Sequence, residues 1–173
     1  MLLDVQGSAE QAGMLKLVYD YVYINEVAQF GVEPSPREAR RLSMTAALLQ
    51  GDPGGPRRKH RRLSSLFRGR IKGAWGSVAA TVLNVSGGGF FLLANTDLAV
   101  DSRLMVMVSN GDIRYEFPVR VRRALTLGGA KGYGVAFDGV PLEIRRGHQN
   151  RSLDHDVGET NQGDDLPSVA IAV

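Results

Sequence analysis

The sequence predicts a mainly β fold with helical appendages: a six-stranded antiparallel β-barrel with a helical hairpin in front of it, and a short helix and a disordered tail behind it. Three observations lead there. Apolar positions recur at helical spacing up to residue 50 and at alternating, extended spacing after residue 56. The two regimes are separated by GDPGGP, Gly51 to Pro56, a run that propagates neither helix nor strand. Beyond it, closely spaced turn signals cut the chain into about six strands, which with short connections favour a closed barrel. The expected organisation is a hairpin over residues 1–50, a flexible joint over 51–56, the barrel domain over 57–150 and the tail over 151–173.

Ser8 with Gln11, and Ser35 with Pro36 and Glu38, have the spacing of a capping box, in which a hydroxyl and a residue three positions on satisfy orphan helix donors reciprocally. Two helices are expected from there. The first carries Leu15, Val18, Tyr19 and Val22 on one stripe and ends at Gly31; the second carries Ala39, Leu42, Ala46 and Leu49 and ends at Gly51 and Pro53. Strands are expected near Phe67 to Lys72, Val78 to Val85, Gly89 to Ala94 and Arg103 to Ser109. Asn110-Gly111 offers positive φ at both centres of a type I′ turn, joining Leu104–Val108 to Ile113–Arg122. Gly128 and Gly129 make the next turn, after which Tyr133, Val135 and Phe137 alternate with Gly134 and Ala136 in another strand. Pro141 opens a short helix through Ile144, Arg145 and Arg146. From Arg151 the chain has five acidic residues and little apolar content until Val169, which predicts disorder.

Composition removes several chemistries. With no cysteine, the chain has no disulfide, thiolate metal site or cysteine nucleophile. His60, His148 and His155 form no i, i+4 pair, so no zinc site is expected. A nucleophile elbow, a phosphate-binding P-loop and paired catalytic carboxylates are missing, which argues against an enzyme. No apolar run approaches the roughly 18 residues of a membrane span, and the start lacks the pattern of a secretory signal; a cytoplasmic protein with no membrane insertion is expected.

The net charge of +3 hides a local asymmetry. Arg57 to Lys72 holds eight Lys or Arg and no carboxylate, while elsewhere 13 Lys and Arg face 18 Asp and Glu. Such a patch attracts a phosphate-bearing partner at short range. Two segments concentrate the unusual chemistry: RRKHRR at Arg57 to Arg62 and NVSGGG at Asn84 to Gly89. Arginine presents a planar fork of donors that engages a phosphate bidentately, grips the O6 and N7 edge of guanine, or stacks on a base. Asn84 supplies a donor and an acceptor and Ser86 a hydroxyl, while the glycines let the backbone turn and approach a ligand closely. Read singly, the first segment is also a solvated charged face and the second a tight β-turn.

Together, Arg58-x-x-x-Arg62 and Asn84-x-Ser86-x-x-Gly89 resemble the RxxxR and D/N-x-S-x-x-G signature of the PilZ domain family. The resemblance extends over about Arg57 to Arg146, with the PVRVRR and GYGVAF segments similar to that family's closing barrel strands. It implies a six-stranded antiparallel barrel and a ligand, cyclic di-GMP, covered by the arginine arm. By the same resemblance Arg58 and Arg62 contact phosphate and guanine, Asn84 and Ser86 hydrogen-bond a guanine edge, Gly89 leaves room for the turn and Arg57 assists. Arg57-x-x-x-Arg61 also fits the first motif; the apolar Leu63 after Arg62 favours the later frame.

The function expected from this is a non-catalytic cyclic di-GMP receptor that signals to a protein effector, of the kind that controls motility, polysaccharide secretion or biofilm formation. Ligand binding would order the arm and change how the hairpin or tail meets the effector. Two alternatives stand beside it. One is a PilZ-like interaction module that binds no nucleotide. The other is a nucleic-acid binder, against which counts the lack of aromatic residues interleaved with the arginines. Trp75, between Gly73 and Gly76, reads as a rim contact of a hairpin, with base stacking as its other reading.

Overall fold

The computed structural model describes residues 3–49 and 60–146. The joint at 51–56, Arg57, Arg58 and the tail from 151 lie outside the described residues. The chain runs α1 (Leu3–Gln29), α2 (Pro36–Leu49), β1 (Leu63–Gly73), β2 (Gly76–Ser86), β3 (Gly89–Ala94), β4 (Arg103–Asn110), β5 (Ile113–Leu127), β6 (Ala130–Phe137) and β7 (Leu142–Arg145). Among the described residues no helix is long and apolar enough to cross a membrane.

Helix α1 begins at Leu3, ahead of the expected start at Ser8, because nothing between Leu3 and Ser8 stops a helix: Gly7 alone costs about 1 kcal/mol relative to Ala. It ends where Gly31 takes φ 79°. Helix α2 opens on the expected capping box. The Ser35 N–H donates to Glu38 Oε2 at 2.8 Å, and the Glu38 N–H donates to Ser35 Oγ at 3.3 Å. Its inner stripe is Leu42, Thr45, Ala46 and Leu49, while Ala39, expected on that stripe, is exposed.

The strands are ordered β4-β1-β2-β3-β6-β5, and a further pairing of β4 with β5 closes them into a six-stranded antiparallel barrel. Alternation does the sorting: Val106 and Val108 of β4, Tyr115, Phe117, Val119 and Val121 of β5, and Tyr133 and Val135 of β6 are buried in one core. The β5–β6 turn is as expected, with φ 54° at Gly128 and 86° at Gly129. The β4–β5 turn is shifted by one residue. Asn110 pairs with Ile113, the loop is Gly111-Asp112, and only Gly111 (φ 57°) is left-handed, the pattern of a II′ turn. This frame sets Val106 opposite Phe117 and Val108 opposite Tyr115.

The expected short helix after Pro141 is instead a strand. Leu142–Arg145 of β7 pairs with Ile113–Glu116 of β5, the part of β5 that β6 does not reach. Those unpaired backbone groups offer β7 more hydrogen bonds than one isolated helical turn would make.

Leu15, Val18 and Val22 of α1 belong to the same buried cluster as the barrel core, and Tyr19 stacks obliquely on Tyr115 at 5.2 Å. An ion pair adds direction: Lys16 Nζ lies 2.8 Å from Asp20 and 2.9 Å from Glu143 of β7. Burying each apolar side chain contributes about 1.5–3 kcal/mol, against about 0.2–1 kcal/mol for a partly exposed pair, so apolar burial holds the helix and the pair sets its orientation.

The hydrogen bond from Lys16 holds the Glu143 carboxyl below its usual range. Burial works against the Lys16 charge, but its hydrogen bonds to Asp20 and Glu143 overcome this and raise its pKa. The Glu143 contribution is therefore complete above its unfolded pKa of about 4.3 and is lost as pH falls through the lowered folded value; that of Lys16 is lost only as pH rises above about 10.4. Glu143→Gln is expected to cost about 0.5–1 kcal/mol at pH 7 and to flatten the acid limb of stability, measured by urea unfolding between pH 3 and pH 7. A second expectation concerns the β3–β6 seam. A Cβ at Gly89 would collide with the Val135 carbonyl oxygen and the Ala136 Cα, at a φ of 155°. Gly89→Ala is expected to destabilise the barrel by about 2–3 kcal/mol, read as a lowered thermal midpoint in circular dichroism.

Candidate functional site

One end of the barrel's outer face carries an open pocket of about 200 Å³, lined by Arg62, Asn84, Ser86, Gly88, Gly89, Phe90, Arg122, Arg123, Gly134 and Val135. Of the residues singled out by sequence, Arg62, Asn84, Ser86 and Gly89 are brought together here. Arg57 and Arg58 lie outside the described residues. Arg61 does not line the pocket; its N–H donates to the Leu49 carbonyl at 2.8 Å, tying the start of the barrel to the end of α2.

The ladder explains the assembly. Ser64 pairs with Asn84, Asn84 with Phe91, Phe91 with Gly134 and Gly134 with Arg123, one row across β1, β2, β3, β6 and β5. Paired residues share a face, so Asn84 and Arg123 look outward from the same row although 39 positions separate them along the chain. Ser86 lies two residues beyond Asn84 on the same face. Its hydroxyl accepts from the Gly88 N–H at 3.3 Å and donates to the Gly89 carbonyl at 3.1 Å, so it stitches the turn and keeps one lone pair for a donor.

Register shifts flank the pocket on three strands, between Ser64 and Phe67, between Val82 and Asn84, and between Val121 and Arg123. A bulge opposes two residues to one and turns consecutive side chains toward the same side. On β5 this delivers two adjacent arginines, Arg122 and Arg123, to one pocket. Arg123 then crosses Gly134, where a Cβ would stand 2.8 Å from its Nε and 2.9 Å from its Cγ, and places its guanidinium 5.9 Å from the Phe91 ring centre. Arg122 is 3.5 Å from Asp101, a residue held at φ 68° by a loop whose backbone pairs with Val121. Both partners are largely exposed, and the contact does little to neutralise Arg122.

Arg122, Arg123 and Gly134 were not among the sequence-predicted site residues; the segments holding them read only as barrel strands. The signal was present in the break of alternation, Val119-Arg120-Val121-Arg122-Arg123, which marks a bulge. Trp75 sits at the opposite end of the β1–β2 hairpin, folded over Gly73 and about 30 Å along β2 from Asn84. It is not part of this site.

Chemically, the pocket offers three guanidinium groups, a carboxamide, a hydroxyl and bare glycine backbone, and its lining includes no carboxylate. That set suits an anionic ligand carrying planar, hydrogen-bonding groups. At about 200 Å³ it is smaller than the roughly 300–1,000 Å³ usual for enclosing a whole small molecule, so a larger ligand needs a further wall.

The family model described as the PilZ domain matches residues 56–150. Among solved structures, the chain is similar to the Bacillus subtilis inhibitor of motility (MotI/DgrA), with 14% sequence identity and a TM-score of 0.41. That match covers 50% of this chain and spans about half of the other protein, 48% of its length. No curated protein matches. The family match covers more than half of the sequence, including both arginine and Asn-x-Ser-x-x-Gly segments, and the chain belongs to the PilZ domain family.

Proposed function

We propose that this protein is a non-catalytic receptor for cyclic di-GMP that relays its binding to a protein effector. The supporting observation is the convergence of Arg62, Asn84, Ser86 and Gly89 with Arg122 and Arg123 in one pocket whose lining carries positive charge alone. Family membership supplies the ligand class. In this reading, Asn84 and the free lone pair of Ser86 meet a guanine edge, and the guanidinium of Arg62 grips phosphate or the O6 and N7 edge of guanine. Arg57 and Arg58 close over the ligand as the wall that the shallow pocket lacks. No metal or resident cofactor takes part. The place of action is the cytoplasm, and the processes served are those of the family, motility, polysaccharide secretion or biofilm control.

Arg122 and Arg123 extend the reading. Arg123 is already aligned over Phe91 by the bare backbone of Gly134, so it meets an incoming phosphate without having to be ordered from solvent.

Isothermal titration of the chain with cyclic di-GMP, with GTP as control, is expected to show selective binding. Arg58→Ala and Arg62→Ala are each expected to lose about 1–3 kcal/mol of it with an unchanged circular dichroism spectrum. A folded wild type that binds no nucleotide leaves the protein-contact module as the better reading. Gly134→Ala is expected to weaken binding about fivefold by pushing Arg123 off Phe91, and to have no further effect in an Arg123→Ala background. Independent, additive losses would show that Gly134 does not act through Arg123, and unchanged binding in Arg123→Ala would remove Arg123 from the site.

A further inference from the structure

The arm that carries Arg62 meets the helical hairpin at Tyr21 of α1 and at Leu49 of α2. His60 lies with its ring over the Gly87–Gly88 turn and meets the Tyr21 ring of α1 edge-on, centroids 5.9 Å apart and planes at 76°. A Cβ at Gly87 would stand 2.8 Å from His60 Nδ1 and 2.8 Å from Tyr21 Cε1, and one at Gly88 would stand 3.3 Å from His60 Cδ2. Neither glycine takes a positive φ. Their lack of side chains therefore serves the approach of these two rings and not an unusual backbone conformation. His60 stands two residues before Arg62, and the Arg61 N–H is held by the Leu49 carbonyl at 2.8 Å, so the segment entering the pocket is held at His60 and at Arg61.

We infer that Tyr21 is a positioning residue for the site: its ring and the bare Gly87–Gly88 backbone clamp His60, and the clamped His60 sets Arg62 over the pocket. Tyr21 does not line the pocket. It acts by removing freedom from the arm before binding, which is where a mobile clamp loses affinity. Because coupling is reciprocal, a ligand that favours the seated arm holds α1 against the turn by the same factor. The hairpin thereby senses occupancy of a site formed on the barrel. The inference rests on the receptor reading for its ligand, cyclic di-GMP, but the clamp is observable without it.

The test is a double-mutant cycle on the full chain with Tyr21→Ala and His60→Ala, read by titration with cyclic di-GMP and by hydrogen exchange of the amides at 60–62. Each single variant is expected to bind about 3- to 10-fold more weakly, and the double variant no more weakly than either single one. Tyr21→Phe, which keeps the ring, is expected to bind like the wild type. Gly87→Ala inserts a methyl between the rings from the turn side while sparing the α1 core contacts, and is expected to match Tyr21→Ala; it stands in for that variant if Tyr21→Ala fails to fold. Losses that multiply in the double variant, or a Tyr21→Phe as weak as Tyr21→Ala, would overturn the clamp. If the wild type binds no cyclic di-GMP, the receptor reading falls and exchange alone decides: faster exchange at 60–62 in Tyr21→Ala and Gly87→Ala upholds the clamp, and unchanged exchange refutes it.

Discussion

At Gly89 the backbone of β3 lies so close to the Val135 carbonyl of β6 that no side chain fits between them. β3 and β6 are far apart in sequence, and their pairing joins the hairpin that carries Asn84 and Ser86 to the strands that carry Gly134 and Arg123. Asn84, Ser86 and Arg123 are placed relative to that seam. Ser86 is bound to it as well, since its hydroxyl donates to the Gly89 carbonyl, and the Phe137 N–H reaches the Gly88 carbonyl at 3.2 Å from the other side. A displaced seam would separate the carboxamide and hydroxyl from the two arginines of β5 without unfolding either hairpin.

The bulges bring the polar groups beside this seam into one outward-facing pocket. A regular strand alternates, so one face can receive only every second residue, and an inward-facing arginine would carry an unpaired charge into an apolar core. The shift between Val121 and Arg123 resolves the conflict by leaving Val121 buried while both following arginines point outward. The shift between Val82 and Asn84 does the same service on β2, where Val82 and Val85 stay in the core and Asn84 and Ser86 share the outer face. Cost falls on the ladder, which loses pairing at those points, and the compensation is a patch of dense positive charge on a barrel whose core is otherwise uninterrupted.

What the sequence disclosed follows from which forces are local. Strand alternation, the Ser35–Glu38 capping box and the Gly128-Gly129 turn are settled within a few residues, and each appears in the fold where periodicity and turn chemistry place it. The family signature likewise led to Arg62, Asn84, Ser86 and Gly89, which a single pocket gathers. Features decided by distant partners were not legible. Leu142–Arg145 reads as a helical turn after Pro141 and becomes a strand because β5 outruns β6 and leaves an edge to be paired. The β4–β5 turn sits at Gly111-Asp112 and not at Asn110-Gly111, which changes the residues opposed across β4 and β5 but not the face they share. Arg123 joins the site only because the ladder aligns it with Asn84 through Gly134, a relation that no spacing along the chain records.

The hairpin is attached to the barrel by two contacts of different kinds, and the difference bears on signalling. Along Leu15, Val18 and Val22 it is fixed by apolar burial in the core, with Lys16 and Glu143 setting its orientation. Near Tyr21 it meets the barrel through the arm itself, and the arm's own backbone reaches α2 at Leu49. The two attachments share residues: Leu49, whose carbonyl holds the arm, is fully buried in the core cluster, and Tyr21 packs against that cluster. On the receptor reading proposed above, that shared anchoring would carry the effect of a bound group from the arm to the hairpin without requiring the barrel core to rearrange.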